Sequence, residues 1–202
     1  MGNSGQGLFK PKSEQVVTIV SGLPRSGTSM MMKMLDAGGI PPLTDEIREA
    51  DTDNPKGYYE YERVKKLDKG DTAWLEEAQG KSVKVISALL KHLPEGYQYK
   101  VIFMQRRMEE ILASQKQMLV RRGEATDAVS DDKLADVLDR HLTGVETWMS
   151  DRPNVDALYV SYNEALEAPL EQAQRINQFL GNTLDVEEMV GVVDQTLYRQ
   201  RR

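Results

Sequence analysis

The stretch that decides the fold lies near the amino terminus and reads Thr18-Ile-Val-Ser-Gly-Leu-Pro-Arg-Ser-Gly-Thr-Ser-Met30. The run from Val16 to Val20 is short and rich in β-branched residues, which predicts a strand buried on both faces. Gly22 and Gly27 bracket a tight loop, and Thr28-Ser29 open a segment with helical character. A strand, a glycine loop and a helix start in this order direct backbone N–H groups at a phosphate-like anion.

The loop resembles a P-loop in its glycine spacing but differs in its cation. Thr28 follows the second glycine, where a nucleotide triphosphatase needs a lysine. The loop's cation is Arg25, which lies inside it. Such a loop can hold a phosphate and a second anionic group, yet it lacks the usual lysine for a β/γ-phosphate pair. On the loop alone, a degenerate P-loop or an ordinary strand-turn-helix connection stays open as an alternative.

Length and composition indicate an ordinary globular chain. It has 202 residues, of which 29% are charged and 40% hydrophobic. The 26 basic and 32 acidic residues give a net charge of −6, which argues against nucleic acid as a partner. Cysteine is absent, which excludes disulfides and thiolate metal sites. We expect a flexible segment at residues 1–13, a single domain over 14–202, no transmembrane segment and a cytoplasmic location; the oligomeric state stays open.

Strand and helix patterns alternate along the rest of the chain. Strands are predicted at Val83–Ser87, Tyr99–Gln105 and Ala157–Val160, and helices after Arg106 and over 130–150 and 170–180. This alternation predicts an α/β fold of three layers, α/β/α, with a central, mostly parallel sheet like that of P-loop nucleotide triphosphatases. Ligands of such sheets bind beyond the carboxyl ends of the strands. We therefore expect the anion loop and Arg106 to share one edge.

Two motifs resemble those of sulfotransferases. Pro24-Arg25-Ser26-Gly27-Thr28-Ser29 closely resembles the loop that grips the 5′-phosphosulfate of the donor 3′-phosphoadenosine 5′-phosphosulfate (PAPS). Arg106 with Ser114 resembles the second signature, in which an arginine at a strand end and a serine on the next helix hold the 3′-phosphate. Arg107-Met108 departs from the Asp-Pro that often follows that arginine. The resemblance covers most of residues 16–181 and implies PAPS as donor, adenosine 3′,5′-bisphosphate (PAP) as product and no metal.

The resemblance also implies roles in sulfuryl transfer, which needs fixed cations around the transferred group and a base for the acceptor's proton. Arg25 matches the catalytic cation of the loop, and Thr28 and Ser29 would bind the 5′-phosphate. Lys84 resembles the lysine that precedes the catalytic histidine of cytosolic members. Ile86 stands where that histidine belongs, so the base must lie elsewhere.

A closer resemblance to tyrosylprotein sulfotransferases suggests where the base lies. It follows the segments Arg25-Ser-Gly-Thr28, Met34-Leu-Asp-Ala37 and Asp45-Glu-Ile-Arg48. In those enzymes a glutamate at the position of Glu46 is the general base. The resemblance therefore implies that Glu46 is the base in this chain, with Asp45 and His92 as the lesser candidates. Cytosolic members complete the contact to the 3′-phosphate with an Arg-Lys-Gly stretch that this chain lacks. Two interpretations stay open for its carboxyl-terminal arginines, which either replace that contact or form a disordered basic tail: Arg199, Arg201 and Arg202.

Three functions remain to be compared. The first is a PAPS-dependent sulfotransferase acting on a hydroxyl or amine of a small molecule, glycan, lipid or peptide. The second is a small P-loop kinase using ATP, which Thr28 disfavours because it replaces the phosphate-binding lysine. The third is a catalytically silent nucleotide-binding protein.

Overall fold

The computed structural model describes residues 16–45, 59–124 and 130–194. These residues contain a parallel sheet of four strands, β1 (Val16–Gly22), β2 (Ser82–Lys84), β3 (Gln98–Gln105) and β4 (Val155–Ser161). The strand order is β2-β1-β3-β4. The chain thus moves outward from β1 to β2 and then returns past β1 to β3. The carboxyl ends of β1 and β3 form the switch point at which such sheets bind ligands.

Helices surround the sheet and connect its strands. The α-helices are α1 (Thr28–Ala37), α2 (Met108–Arg122), α3 (Asp131–Ser150), α4 (Tyr162–Glu167), α5 (Pro169–Phe179) and α6 (Val186–Gly191). Within the described residues, three short 3-10 helices cover Glu62–Lys69, Ala73–Leu75 and Ser87–His92. Asp131 and Asp132 in the first turn of α3 complement its dipole, and the Ser130 hydroxyl accepts a hydrogen bond from the Lys133 amide.

The hydrophobic core has two halves, one on each face of the sheet. Val17 and Ile19 of β1 point into the half that α3 and the 3-10 helices cover. Val20 points into the other half, which contains buried methionines of α1 and residues of α4, α5 and α6. Adjacent strand residues therefore face opposite layers, as expected of a doubly covered parallel sheet. The prediction of a three-layer α/β/α fold with a central parallel sheet is confirmed.

One strand is shorter than predicted. The sequence pattern favours a strand over Val83–Ser87, but β2 ends at Lys84, and Ser87 already begins a 3-10 helix. The last bond to β1 runs from the Val85 amide to a β1 carbonyl, at 3.0 Å. The pattern failed here because an apolar run does not show where the chain leaves the sheet, and Ile86 is half exposed.

Candidate functional site

The loop between β1 and α1 is shaped by close packing at its two glycines. Gly22 has a φ of +147°, and a Cβ there would lie 2.6 Å from both a β3 carbonyl oxygen and Ser26 Oγ. Gly27 has a φ of +99°, and a Cβ there would lie 2.3 Å from the Tyr162 ring. Arg25, between them, takes a left-handed φ of +72°. The backbone therefore lies directly against β3 and Tyr162, with no space for side chains at either glycine.

The start of α1 suits an anion. The helix begins at Thr28 without a side-chain cap and has no acidic residue in its first turn. The first amides of a helix have no partner within it, and the dipole makes this end positive. The Ser26 hydroxyl is buried beside this end, and among the described residues it has no hydrogen-bond partner. A buried donor of this kind fits a phosphate group held at the helix start.

The structure brings the two predicted motifs together. Arg25 Nε donates a hydrogen bond of 2.9 Å to Ser114 Oγ on α2. Arg106 Nη1, at the end of β3, donates a hydrogen bond of 2.9 Å to the Arg25 carbonyl oxygen. Segments separated by about 80 to 90 positions in the sequence thus meet in one cluster at the carboxyl edge of the sheet.

Arg106 is held on further sides. Its Nε donates to Glu110 Oε2 at 2.8 Å, one turn along α2. Its guanidinium carbon lies 4.4 Å from the centre of the Tyr162 ring, within the range of a cation–π contact. The other oxygen of Glu110 accepts a hydrogen bond of 3.0 Å from Asn163 Nδ2. The side chains of Arg106 and Glu110 are only 8% and 6% exposed.

Lys84 lies on the other side of the loop, at the end of β2. It pairs in the sheet with Val20, near the end of β1 and thus close to the start of the loop. Its side chain is 10% exposed, and Nζ lies 3.9 Å from Glu60 Oε1. Glu60 also lies 3.4 Å from the exposed Lys65 ammonium. Because β1 lies between β2 and β3, the loop is flanked by Lys84 on one side and Arg106 on the other.

Of the three candidate bases, only two are within the described residues. Glu46 lies outside them, as do Arg199, Arg201 and Arg202. The Asp45 carboxylate accepts a 2.6 Å hydrogen bond from the Glu62 amide, at the start of a 3-10 helix. His92 is exposed on the connection that returns the chain from β2 to the start of β3.

Sequence reasoning missed four polar residues near this edge. Glu110 had a signal, because it follows Arg106 by only four positions, in the first turn of the helix that begins just after Arg106. Glu60 had no such signal. Neither did Ser87 and His141, whose Oγ and Nε2 atoms lie 2.8 Å apart. Their partners lie far along the chain, so no local pattern joins them.

No group of three or more histidine, aspartate or glutamate residues within the described residues is arranged to hold a metal ion. No helix in this part of the chain is long and apolar enough to cross a membrane.

Comparisons with known proteins place this geometry in a family. A family model described as a sulfotransferase domain matches residues 17–202. The chain is similar to the sulfotransferase domain of the Synechococcus PCC 7002 olefin synthase (TM-score 0.55, 15% identity, covering 93% of this chain and 80% of that one). It is also similar to the sulfotransferase domain from the curacin biosynthetic pathway (0.55, 13%, 89% and 78%).

A third solved structure is sulfotransferase STF1 from Mycobacterium tuberculosis H37Rv (TM-score 0.52, 17% identity, covering 93% of this chain and 74% of that one). At such identities the solved structures show a shared fold. No curated protein matches the chain at a significant level of similarity. Because the family model spans nearly all of the sequence, the chain belongs to the sulfotransferase domain family.

Proposed function

We propose that this sulfotransferase takes its sulfuryl group from PAPS and transfers it to a hydroxyl or amine acceptor. The observation that carries the proposal is the cluster of Arg25, Arg106 and Ser114, which joins the anion loop to the end of β3. We further propose that residues 14–202 act as one domain, since the family model covers 17–202. The acceptor classes are those of the sequence interpretation, namely a small molecule, glycan, lipid or peptide.

The loop and the start of α1 would hold the 5′ end of the donor. The first amides of α1 and the hydroxyls of Thr28 and Ser29 are donors suited to phosphate oxygens. Pro24 fixes the backbone direction just before Arg25, and the buried Ser26 hydroxyl adds a donor inside the loop. Gly27 lets the backbone approach closely because no side chain stands in the way.

Arg106 and Ser114 would hold the 3′-phosphate. An arginine fork is the group best suited to a phosphate dianion, and a serine hydroxyl adds a neutral donor. Both side chains are almost completely buried, which strengthens charge-assisted hydrogen bonds and excludes competing water. An ATP-dependent kinase has no use for a second phosphate site at this position. The site therefore favours a doubly phosphorylated adenosine over ATP.

Arg25 and Lys84 would stabilise the group in flight. PAPS supplies an activated sulfuryl group, whose transfer forms a sulfur–oxygen bond to a hydroxyl acceptor, or a sulfur–nitrogen bond to an amine, and breaks the sulfur–oxygen bond to the 5′-phosphate. Arg25 lies inside the loop and Lys84 beside it, and their charges would oppose the negative charge that develops on the non-bridging and leaving oxygens. We propose that the Glu46 carboxylate accepts the acceptor's proton.

Ligand-dependent melting tests the donor. Without added metal, PAP should raise the melting temperature more than ATP with Mg²⁺ does, because only PAP carries the 3′-phosphate. Transfer of labelled sulfate from PAPS to an acceptor library then distinguishes an enzyme from a silent binder. A larger shift with ATP and Mg²⁺ would instead support the kinase, and the absence of any transfer would support the silent binder.

Substitution of the proposed base is the sharper test of mechanism. Glu46→Gln should lower turnover at saturating donor and acceptor by roughly 10² to 10⁴-fold and leave PAP affinity unchanged. Glu60→Gln is the matched comparison, since Glu60 is the carboxylate beside Lys84. If Glu46→Gln keeps full turnover while Glu60→Gln loses it, the base is Glu60 and our assignment is wrong.

A further inference from the structure

We propose that Glu110 and Asn163 are positioning residues that orient Arg106 toward the 3′-phosphate of the donor. The inference rests on the proposed function, and it assigns neither residue a contact with the nucleotide. It concerns how an arginine with many rotamers is held in one orientation at the edge of the sheet.

The Glu110 carboxylate accepts from both sides. Oε2 accepts from Arg106 Nε at 2.8 Å, and Oε1 accepts from Asn163 Nδ2 at 3.0 Å. Arg107 Nη1 lies 3.8 Å from Oε1, but its side chain is 60% exposed and adds little. A carboxylate fixed at both oxygens cannot rotate without losing a buried hydrogen bond.

Stability is a poor explanation for this pair. Arg106 and Glu110 are both less than 10% exposed, and desolvating two charges offsets most of what their attraction returns. Apolar residues of similar volume often replace such pairs without loss of stability. A buried ion pair at a ligand-binding edge is better explained by the geometry it imposes on Arg106.

That geometry is specific. The Nε edge of the guanidinium is taken by Glu110, one face lies on the Tyr162 ring, and Nη1 reaches the Arg25 carbonyl. These contacts fix both the plane of the group and its rotation within that plane. The Nη end, and not the Nε edge, is therefore turned toward the anion loop.

The residues that support Arg106 and Glu110 come from one short element. Tyr162 and Asn163 are consecutive at the start of α4, immediately after β4. The former provides the ring under Arg106, and the latter provides the amide that holds Glu110. Because β4 pairs with β3, the end of β4 lies beside the end of β3, which Arg106 follows.

The experiment measures the increment that a 3′-phosphate adds to nucleotide affinity, by calorimetric titration of the full chain with PAP and with AMP. In the unchanged protein PAP should bind far more tightly than AMP. Glu110→Gln should lower PAP affinity by about 10 to 100-fold, by analogy with the loss seen when groups that orient metal ligands are removed. AMP affinity should change less than about twofold.

Three further variants separate positioning from folding. Glu109→Gln removes the same charge from the neighbouring, exposed position of α2 and should leave the increment intact. Asn163→Ala keeps the Arg106–Glu110 pair with one anchor fewer, which should produce a smaller loss and protects the test if Glu110→Gln does not fold. Glu110→Gln combined with Asn163→Asp should restore the increment, because the new amide can donate to the new carboxylate and still accept from Arg106.

The outcomes are distinct. If the unchanged protein binds PAP no more tightly than AMP, the proposed donor and this inference are both overturned. If the increment exists but survives Glu110→Gln, only the inference is overturned. An equal loss for PAP and AMP would show a general structural role and would also contradict it, whereas a selective loss with rescue by the double variant supports it.

Discussion

Replacing Gly27 by alanine tests whether the anion loop depends on its contact with Tyr162. Gly27 has a φ of +99°, and the added Cβ would lie 2.3 Å from the nearest atom of the Tyr162 ring. Gly39 offers a matched control, because it has nearly the same φ, +103°, and a Cβ there would meet nothing within 4 Å. The two substitutions share the backbone strain and differ in the clash.

The expected magnitudes follow from these two contributions. A left-handed conformation costs a residue with a Cβ roughly 1–2 kcal/mol, so Gly39→Ala should lower the free energy of unfolding by about that amount. Overpacking a tight contact costs about 1–3 kcal/mol more, so Gly27→Ala should lower it by about 2–5 kcal/mol. The ring cannot move freely, because Tyr162 is buried in the core and the Arg106 guanidinium lies 4.4 Å from the ring centre.

The measurement is equilibrium unfolding in urea for both variants, together with PAP titration. The free energy of unfolding should fall with urea concentration at the same slope in both variants, so that their midpoints can be compared directly as stabilities. Only Gly27→Ala should weaken PAP binding, by about tenfold or more, because the displaced ring is the one that supports Arg106. Equal losses of stability for the two variants, or unchanged PAP binding in Gly27→Ala, would refute the reasoning.

Two more predictions follow from the described contacts. Arg106→Lys keeps the charge but cannot bond to Glu110 and the Arg25 carbonyl with one rigid fork, so we expect a loss of about 1–3 kcal/mol in unfolding free energy together with weaker PAP binding, both measurable in the assays above. Burial raises the pKa of the Tyr99 phenol, with a smaller contribution from Tyr97, and its hydroxyl donates to the Pro94 carbonyl at 2.8 Å. As the pH rises, the unfolded chain therefore loses the Tyr99 proton before the folded chain does. The free energy of unfolding should fall by about 1.4 kcal/mol per pH unit above pH ~10, until the folded phenol titrates. Urea midpoints measured from pH 9 to 11 should fall less steeply in Tyr99→Phe than in the unchanged protein.

The sequence predicted the fold best where the determining chemistry is local. The β1–loop–α1 unit is fixed by a β-branched run followed by two glycines whose positions allow no side chain. Arg106 and Ser114 could be placed together because a strand end and two turns of the next helix set their separation. Their hydrogen bonds with Arg25 then follow from the strand order, which places β1 beside β3. The alternating pattern predicted a mostly parallel sheet but not this order.

The contacts that support the site were beyond such reasoning. Glu110 meets Asn163 across 53 positions in the sequence, and Lys84 meets Glu60 from a segment without regular periodicity. Neither pair leaves a local pattern, because each depends on how distant elements pack. The proposed roles of Arg25, Lys84 and Glu46 in catalysis likewise stay predictions for the experiments described above.

The strand order also explains how a chain of net charge −6 could build the proposed site for a polyanion. Lys84, Arg25 and Arg106 come from the ends of β2, β1 and β3, three neighbouring strands, so the topology concentrates cations that the composition does not favour. Two of them face a carboxylate, Glu60 or Glu110, which limits repulsion before the donor binds. In the proposed site, donor oxygens compete with Glu60 for Lys84, whereas Glu110 holds the Nε edge of Arg106 and leaves its Nη end turned toward the loop. We therefore expect such a site to favour ligands with several fixed negative charges over singly charged ones.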